Sequence, residues 1–285
     1  MPLVNVKDLL FDAAKNNYAV GAFNCNNMEI LQAIIRAAEE EDAPVIIQAS
    51  QGAIKYAGLD YIASMGKLAA EKSSVPAALH LDHGTSIEQV IQCIRHGFSS
   101  VMFDGSSLPF DDNAALTKEV VEIAHAVDVS VEGELGRICG TEDDISVCDR
   151  DASLTDPGEA KSFVEFTGVD SLAVSIGTAH GRYKGTPDLD FERLERIGEL
   201  VDIPLVMHGA SGVPSEDICR AIPMGIRKIN IDTDIREAFV TGIMEALEED
   251  PHGRDPRNIL GHAREKMQEI VGEKMRLFGC AHRIR

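Results

Sequence analysis

Short apolar segments alternate with amphipathic segments along most of the chain. The apolar segments end at turn residues and lack a polar face, which is typical of strands buried on both faces of a parallel sheet. Many of the intervening segments, such as MEILQAIIRAAEEEDA and SIEQVIQCIRHG, carry apolar residues at helical spacing and therefore indicate helices. The pattern predicts strands at residues 18–23, 44–49, 76–81, 100–104, 128–135, 170–176, 203–209 and 226–231.

This alternation of strands and helices in a chain of 285 residues predicts an α/β protein built as one (β/α)8 barrel, the TIM-barrel architecture. A doubly wound open sheet is the alternative. One connection is much longer than the others, because a polar and acidic stretch follows EGELG. We expect residues 1–285 to form a single catalytic domain with a long mobile loop around 136–158.

Composition narrows the classes of partner. Hydrophobic residues make up 44% of the chain, enough for a large core, while the formal net charge of −20 disfavours nucleic acid and anionic membranes as partners. The cysteines form no C-x-x-C pair, which indicates reduced thiols. The first residues are charged and amphipathic rather than a signal peptide, and no apolar run reaches membrane length, so we expect a cytoplasmic protein.

Three His-Gly steps lie at or just after the ends of predicted strands, at His83, His180 and His208. Active sites of (β/α)8 barrels lie at the carboxyl ends of the strands, so these histidines are expected to converge. Three imidazoles that leave one position open form a typical catalytic zinc site. The alternative is that each histidine is a separate hydrogen-bonded residue of the core. Recurrence of the same step on three strands favours zinc.

The last two predicted strands lead into HGASG (208–212) and NIDTD (230–234). Small residues there expose backbone N–H groups, and the loops after strands seven and eight form the common phosphate site of this barrel. An ordinary turn would also explain HGASG alone. The two motifs together predict a phosphate site, which in so acidic a chain has to be built locally from backbone amides or a few cations.

Several motifs occur in order between residues 21 and 234: GAFNCNN, HLDHG, SVMFDGS, EGELG, SIGTAHG, HGASG and KINIDTD. Together they resemble the class II, metal-dependent fructose-bisphosphate aldolases and the related tagatose-bisphosphate aldolases. The resemblance implies reversible aldol cleavage of fructose 1,6-bisphosphate to dihydroxyacetone phosphate and glyceraldehyde 3-phosphate, in glycolysis and gluconeogenesis, through a zinc-stabilised enediolate. It also implies sugar bisphosphate and triose phosphates as ligands, and a homodimer or homotetramer.

The resemblance implies roles for the residues that would carry the reaction. Zinc would be bound by His83, His180 and His208. Asp82 would be the acid/base that handles the aldehyde oxygen and the C4 hydroxyl of the substrate. Glu142, in the long loop, would exchange the proton at C3 of dihydroxyacetone phosphate.

Further binding positions follow from the same resemblance. Asp104 and Glu134 match residues that hold a second metal position, or a resting position of the zinc. A monovalent cation often accompanies the family's phosphate site. The dihydroxyacetone-phosphate half of the substrate and its phosphate would contact Asn24, Ser50, Gly181, Lys184, Gly209, Ala210, Ser211, Asn230, Ile231, Asp232 and Thr233.

Alternative functions stay open on the sequence. The first is cleavage of tagatose 1,6-bisphosphate, but sequences that resemble the tagatose enzymes tend to have alanine at the place of Asp232, which favours fructose. A Schiff-base aldolase on the same barrel would use Lys228. A non-catalytic sugar-phosphate-binding barrel would not need both Asp82 and Glu142.

The roles of three individual residues also stay open. Strand alternation lets Glu132 share a face with Glu134, and only the resemblance favours Glu134 as a metal ligand. Arg276 fits either a contact to the second phosphate or a charge on a helix surface. Cys139 replaces the glycine that is usual in the family's catalytic loop, which would stiffen the loop.

Overall fold

The structure is a computed structural model that describes residues 3–142, 145–147, 154–183 and 185–284. The strands in these residues are β1 (Val20–Asn24), β2 (Val45–Ser50), β3 (Ala77–Gly84), β4 (Ser100–Phe103), β5 (Ser130–Leu135), β6 (Cys139–Glu142), β7 (Ile145–Val147), β8 (Ser171–Val174), β9 (Ala179–His180), β10 (Leu205–Met207) and β11 (Ile226–Ile231).

Within the described ranges, eight parallel strands close into a barrel in the order β1-β11-β10-β8-β5-β4-β3-β2. These are the eight strands that the hydrophobic pattern predicts. The closed order confirms the predicted (β/α)8 barrel and rules out the doubly wound open sheet. Closure brings the carboxyl ends of all eight strands to one mouth, and Asp82, His83 and Asn230 lie at such strand ends.

The helices surround the barrel and begin at residues with capping side chains in several cases. Asn27, Ser86 and Asp190 each accept a hydrogen bond from a backbone N–H of the first turn. No helix within the described part of the chain is long and apolar enough to span a membrane. The helices are α1 (Val6–Asn16), α2 (Met28–Glu40), α3 (Gln51–Ala57), α4 (Leu59–Lys72), α5 (Ile87–Arg95), α6 (Phe110–His125), α7 (Pro157–Thr167), α8 (Phe191–Leu200), α9 (Ser215–Ala221), α10 (Thr233–Glu249) and α11 (Pro256–Leu277).

Two different cores result from the alternation of side chains along the strands. Outward residues such as Leu79, which packs on Gly66 of α4, form the large apolar core between strands and helices. The barrel interior contains the small apolar cluster Met102, Ala173 and Val206, and it also contains many buried polar side chains. A buried polar group without a partner costs free energy, so we expect the polar side chains of the barrel interior to bind one another in a network.

A second, small sheet lies at the mouth of the barrel. Its order is β7-β6-β9, so part of the segment 136–158, for which the sequence predicts a long mobile loop, forms strands. The pairing is close: Gly140 lies opposite His180, and a Cβ atom at Gly140 would overlap the His180 carbonyl oxygen. Gly140 also has φ +102°, a region that favours glycine. Strands this short carry no readable periodicity, so the sequence pattern missed them.

Candidate active site

Strand β3 carries an irregularity at the HLDHG motif. Leu81 pairs with Val101 and Gly84 with Phe103, so β3 has one residue more than β4 over this interval. His83 is the residue in left-handed conformation, with φ +49°, which is uncommon for any residue other than glycine. Such a bulge changes the direction of a side chain, and here it turns His83 from the helix layer toward the barrel mouth.

Three imidazoles meet at this mouth, on residues from β3, β9 and the end of β10. The ring centroids lie 5.2 Å apart for His83 and His180, 4.7 Å for His83 and His208, and 5.8 Å for His180 and His208. One nitrogen of each ring lies within 4.8 Å of the others, and His83 Nε2 lies 3.0 Å from His208 Nδ1. Nitrogens that face one another in this way fit the donor set of a tetrahedral zinc ion.

The other ring nitrogen of His83 faces a pair of carboxylates. His83 Nδ1 lies 2.9 Å from Asp104 Oδ2 and 3.9 Å from Glu134 Oε2. Burial raises the pKa of Glu134 well above its usual range, and the negative charge of Asp104 adds to this. Burial also acts to raise the pKa of Asp104, but the hydrogen bond and charge of His83 bring it below the usual range. Glu134 Oε2 is buried without a hydrogen-bond partner among the described residues, so a second cation fits here.

Asp82 is held by three amide side chains at the barrel mouth. Asn24 Nδ2 donates to Oδ2 at 2.8 Å, Gln48 Nε2 donates to the same oxygen at 3.2 Å, and Asn230 Nδ2 donates to Oδ1 at 3.3 Å. Gln48 also donates to Asn24 Oδ1 at 2.7 Å. The sequence analysis missed Gln48, although a glutamine inside the apolar run PVIIQA is itself a signal of a buried polar network.

A polar cleft opens beside the histidines and Asp82. The amino end of α10 borders the cleft, and N–H groups at a helix start favour an anion. The N-cap residue Asp232 makes no side-chain cap hydrogen bond, while the Asp234 N–H donates to Ser211 Oγ at 3.3 Å. The residues that line it are Asn24, His180, Gly181, Gly209, Ser211, Asn230, Asp232, Thr233 and Arg236. All of these except Arg236 were singled out from the sequence.

Arg236 pairs with Asp232 at the edge of the cleft. Arg236 Nε donates to Asp232 Oδ1 at 2.8 Å, and Arg236 Nη2 lies 2.7 Å from Asp232 Oδ2. This two-point contact fixes the carboxylate more firmly than a single hydrogen bond would. The spacing of four residues at the start of a helix is a signal that sequence reasoning could have used to find Arg236.

Other predicted residues do not line this cleft with their side chains, or they lie outside the described residues. Ser50 is buried, and its hydroxyl caps α3 by accepting from the Ala53 N–H at 3.2 Å. Ala210 and Ile231 are buried, and their side chains pack in the apolar core. Lys184 lies outside the described residues, and the Glu142 backbone is in β6 while its side chain lies outside the described part.

Two cations with a predicted alternative role make ion pairs. Arg276 contacts Glu41 on the outside of the barrel, which supports its interpretation as a helix-surface charge. Lys228 is fully buried, and its Nζ lies 2.9 Å from Glu132 Oε2. A Schiff-base lysine has to reach the substrate as a free amine, so this buried ion pair argues against that alternative.

Comparison with known proteins gives consistent matches. The family model described as fructose-bisphosphate aldolase class-II matches residues 4–283. A protein named fructose-bisphosphate aldolase from Thermus caldophilus is 48% identical, and the alignment covers 99% of this chain and 99% of that protein. Among solved structures, the YdjI aldolase from Escherichia coli K12 has a TM-score of 0.89 and 35% identity, over 99% of this chain and 100% of that one.

Proposed function

Because this chain belongs to the class-II fructose-bisphosphate aldolase family, we propose that it cleaves fructose 1,6-bisphosphate reversibly to dihydroxyacetone phosphate and glyceraldehyde 3-phosphate. Membership makes it an aldolase, a carbon–carbon lyase. The observation that carries the proposal for this chain is the convergence of His83, His180 and His208 beside the amide-held Asp82. This arrangement would supply a metal site and a proton-transfer group at the same cleft. The reaction would serve glycolysis and gluconeogenesis in the cytoplasm.

The metal centre of the proposal is zinc on the three histidines. A zinc ion held there would act as a Lewis acid that polarises the ketone oxygen of the substrate. The facing nitrogens of His83 and His208 support this assignment. The carboxylates of Asp104 and Glu134 would hold a second metal position, or a resting position of the zinc, on the opposite nitrogen of His83.

Asp82 would handle the proton of the C4 hydroxyl. Cleavage of the bond between C3 and C4 turns that hydroxyl into a carbonyl, so a base has to accept its proton, and the same group returns it in condensation. Asp82 adjoins His83 in sequence, and its carboxylate is oriented by amides from β1, β2 and β11. A carboxylate held in this way is positioned before the substrate arrives.

Glu142 would exchange the proton at C3 of dihydroxyacetone phosphate. Its backbone lies in β6, and β6 pairs with β9 at Gly140 and His180. The pairing supports a place for Glu142 near the barrel mouth. The expected mobility of the segment 136–158 is part of the proposal, because a loop that closes over the cleft would exclude water from the reaction.

The phosphate of the dihydroxyacetone-phosphate half would bind in the polar cleft. Gly181, Gly209, Ser211 and Thr233 would supply small side chains and backbone N–H groups, and the start of α10 would favour the negative charge. Ser50, Lys184 and a monovalent cation would complete the site. Ala210 and Ile231 would contribute through their backbones, because their side chains lie in the core.

Fructose 1,6-bisphosphate would be preferred over its C4 epimer because of Asp232. The two sugars differ in the direction of one hydroxyl, so a fixed hydrogen-bond acceptor can discriminate between them. Asp232 lines the cleft, and its pairing with Arg236 fixes its direction. The C4 epimer, tagatose 1,6-bisphosphate, is the alternative substrate.

A homodimer or homotetramer is also part of the proposal. Val240, Met244 and Leu247 of α10 leave apolar side chains exposed, and an apolar surface of this kind favours association. Light scattering after size-exclusion chromatography measures the mass directly.

A cleavage assay with both sugars, with and without a chelator, tests the proposed function. The expected result is cleavage of fructose 1,6-bisphosphate that is lost on chelation and returns with zinc. Borohydride added with substrate should leave the enzyme active, because no imine forms with Lys228. Full activity in metal-free protein would contradict the metal-dependent mechanism.

A further inference from the structure

A chain of polar contacts runs through the barrel interior behind His208. We infer that Glu132, itself held by Lys228, is a positioning residue that fixes the ring of His208 in the form that binds metal. The inference rests on the proposed metal centre, because it concerns one of the three histidines assigned to it. Glu132 has no role in the binding positions described above.

The contact between Glu132 and Lys228 crosses the barrel. Glu132 lies on β5 and Lys228 on β11, and the strands β8 and β10 separate them in the barrel order. Both side chains point into the barrel and meet at 2.9 Å, with 1% of the Glu132 side chain and 0% of the Lys228 side chain exposed. The contact is an ion pair without the alignment of a good hydrogen bond. Burying two charges costs free energy, so an ion pair this deep indicates a role other than stabilising the fold.

The two ring nitrogens of His208 have separate neighbours. Nε2 lies 2.8 Å from Glu132 Oε1, deep in the barrel. Nδ1 lies 3.0 Å from His83 Nε2, on the side of the proposed metal. The ring is fully buried, so no solvent contact competes for either nitrogen.

Glu132 selects one tautomer of this ring. A neutral imidazole carries a hydrogen on one nitrogen and a lone pair on the other, and an ionised carboxylate can only accept. The hydrogen is therefore expected on Nε2, where it donates to Glu132, which leaves the Nδ1 lone pair directed toward His83. A carboxylate behind a metal-binding histidine commonly sets the tautomer and orientation of the ring in this way.

Lys228 keeps the carboxylate in place. Glu132 Oε2 faces the Lys228 ammonium at 2.9 Å, and His80 Nε2 lies 3.6 Å from the same oxygen. His80 is in turn held by Ser100, whose Oγ lies 2.8 Å from His80 Nδ1. Oε2 is thus occupied from one side of the barrel, and Oε1 is left for His208.

The competing explanation is that the ion pair only fills the barrel. Two variants separate the explanations. Glu132→Gln removes the acceptor-only group and leaves the Lys228 charge buried alone, which should lower stability. The double variant Glu132→Gln with Lys228→Met removes both charges, so the unfolding temperature should recover while the carboxylate stays absent.

Zinc affinity of the metal-free protein is the first readout, measured by competition with a chromophoric chelator. We expect both variants to bind zinc about 10- to 100-fold more weakly than the wild type. Ser130→Ala is the matched control, because Ser130 is buried on the same face of β5 and its hydroxyl has no hydrogen-bond partner among the described residues. It should bind zinc like the wild type. Wild-type affinity in the double variant would overturn the inference.

The ring 15N chemical shifts of His208 in metal-free protein are the second readout. The wild type should show the hydrogen on Nε2, and both variants should show a mixture, because an amide can donate as well as accept. An unchanged tautomer in the double variant would overturn the inference even if the single variant failed to fold. If the wild type bound no zinc, the proposed metal centre would be wrong, while the tautomer would still decide the role of Glu132.

Discussion

Asp82 and His83 are consecutive residues, yet both side chains enter the mouth of the barrel. In a regular strand they would point to opposite faces. The extra residue in β3 and the left-handed conformation of His83 remove this constraint. Asp82 therefore meets Asn24 while His83 meets Asp104, and a proton-transfer group lies beside a proposed metal ligand.

Gly84→Ala should disturb this bulge. A Cβ atom at Gly84 would lie 2.6 Å from the Met102 carbonyl oxygen and 2.7 Å from Leu81 Cδ2, so the strand has to shift. We expect a loss of about 1–3 kcal/mol in the free energy of unfolding, and weaker zinc binding. Urea unfolding and metal analysis measure the two effects. Gly261→Ala is the control, because its Cβ would meet no atom within 4 Å. Equal losses of stability and of zinc binding in the two variants would contradict a specific role for Gly84 in the bulge.

His208→Ala should abolish zinc retention and cleavage together. Loss of one nitrogen from three leaves too few ligands for a stable zinc site, and without zinc the ketone oxygen is not polarised. Metal analysis of the purified variant and a cleavage assay measure both. His96→Ala provides the comparison, since His96 is on the surface and pairs with Asp60, and it should keep wild-type metal content.

The two proposed proton-transfer carboxylates should separate in their effects. Asp82→Ala should lower cleavage by about 100- to 10,000-fold while zinc stays bound, because the C4 hydroxyl loses its base. Glu142→Ala should mainly block exchange of the C3 proton of dihydroxyacetone phosphate. Incorporation of deuterium from heavy water into dihydroxyacetone phosphate measures this exchange. Exchange at the wild-type rate in Glu142→Ala would mean that another group, such as the neighbouring Asp143, is the base.

Asp232→Ala should narrow the preference between the two epimeric sugars. The variant loses the fixed acceptor and leaves Arg236 without its carboxylate. We expect the ratio of kcat/KM for fructose 1,6-bisphosphate to that for tagatose 1,6-bisphosphate to fall by about 10-fold or more. An unchanged ratio would remove Asp232 as the cause of the preference, and an inverted ratio in the wild type would make the substrate assignment wrong.

Asp170 should make the stability pH-dependent. It joins α1, α6 and β5, since Oδ1 lies 2.8 Å from Lys7 Nζ and Oδ2 lies 2.9 Å from the Val131 N–H and 2.8 Å from His125 Nε2. Burial acts to raise its pKa, but the contacts with Lys7, Val131 and His125 lower it below the usual value. A lowered folded-state pKa stabilises the fold above the unfolded-state pKa of about 4, and this contribution is lost as the pH falls through the folded-state value.

Asp170→Asn should therefore lower the free energy of unfolding by about 1–3 kcal/mol at pH 7, and the difference from wild type should shrink below about pH 4. Urea unfolding across this range measures it. Asp60→Asn is the control, because Asp60 is exposed and its pair with His96 should contribute at most about 1 kcal/mol. A difference that stays constant with pH would show that the charge of Asp170 is not the cause.

The sequence by itself determined the barrel and most of the polar cleft. Strand position depends on local runs of apolar residues, and the eight predicted runs are the eight barrel strands. Closure then brings strand ends together wherever they are in the chain. For this reason three histidines far apart in sequence could be expected to meet, and they lie within reach of one ion.

Only the tertiary structure decided the features that depend on contacts between distant residues. Alternation places Glu132 and Glu134 on one face, but it cannot show that Lys228 lies across the barrel from the first and Asp104 beside the second. The bulge at His83 depends on pairing with β4, and the β6–β9 pairing depends on how closely two loops approach. The sequence records which residues alternate along one strand, whereas the partner of a buried charge is set by the closure of the whole barrel.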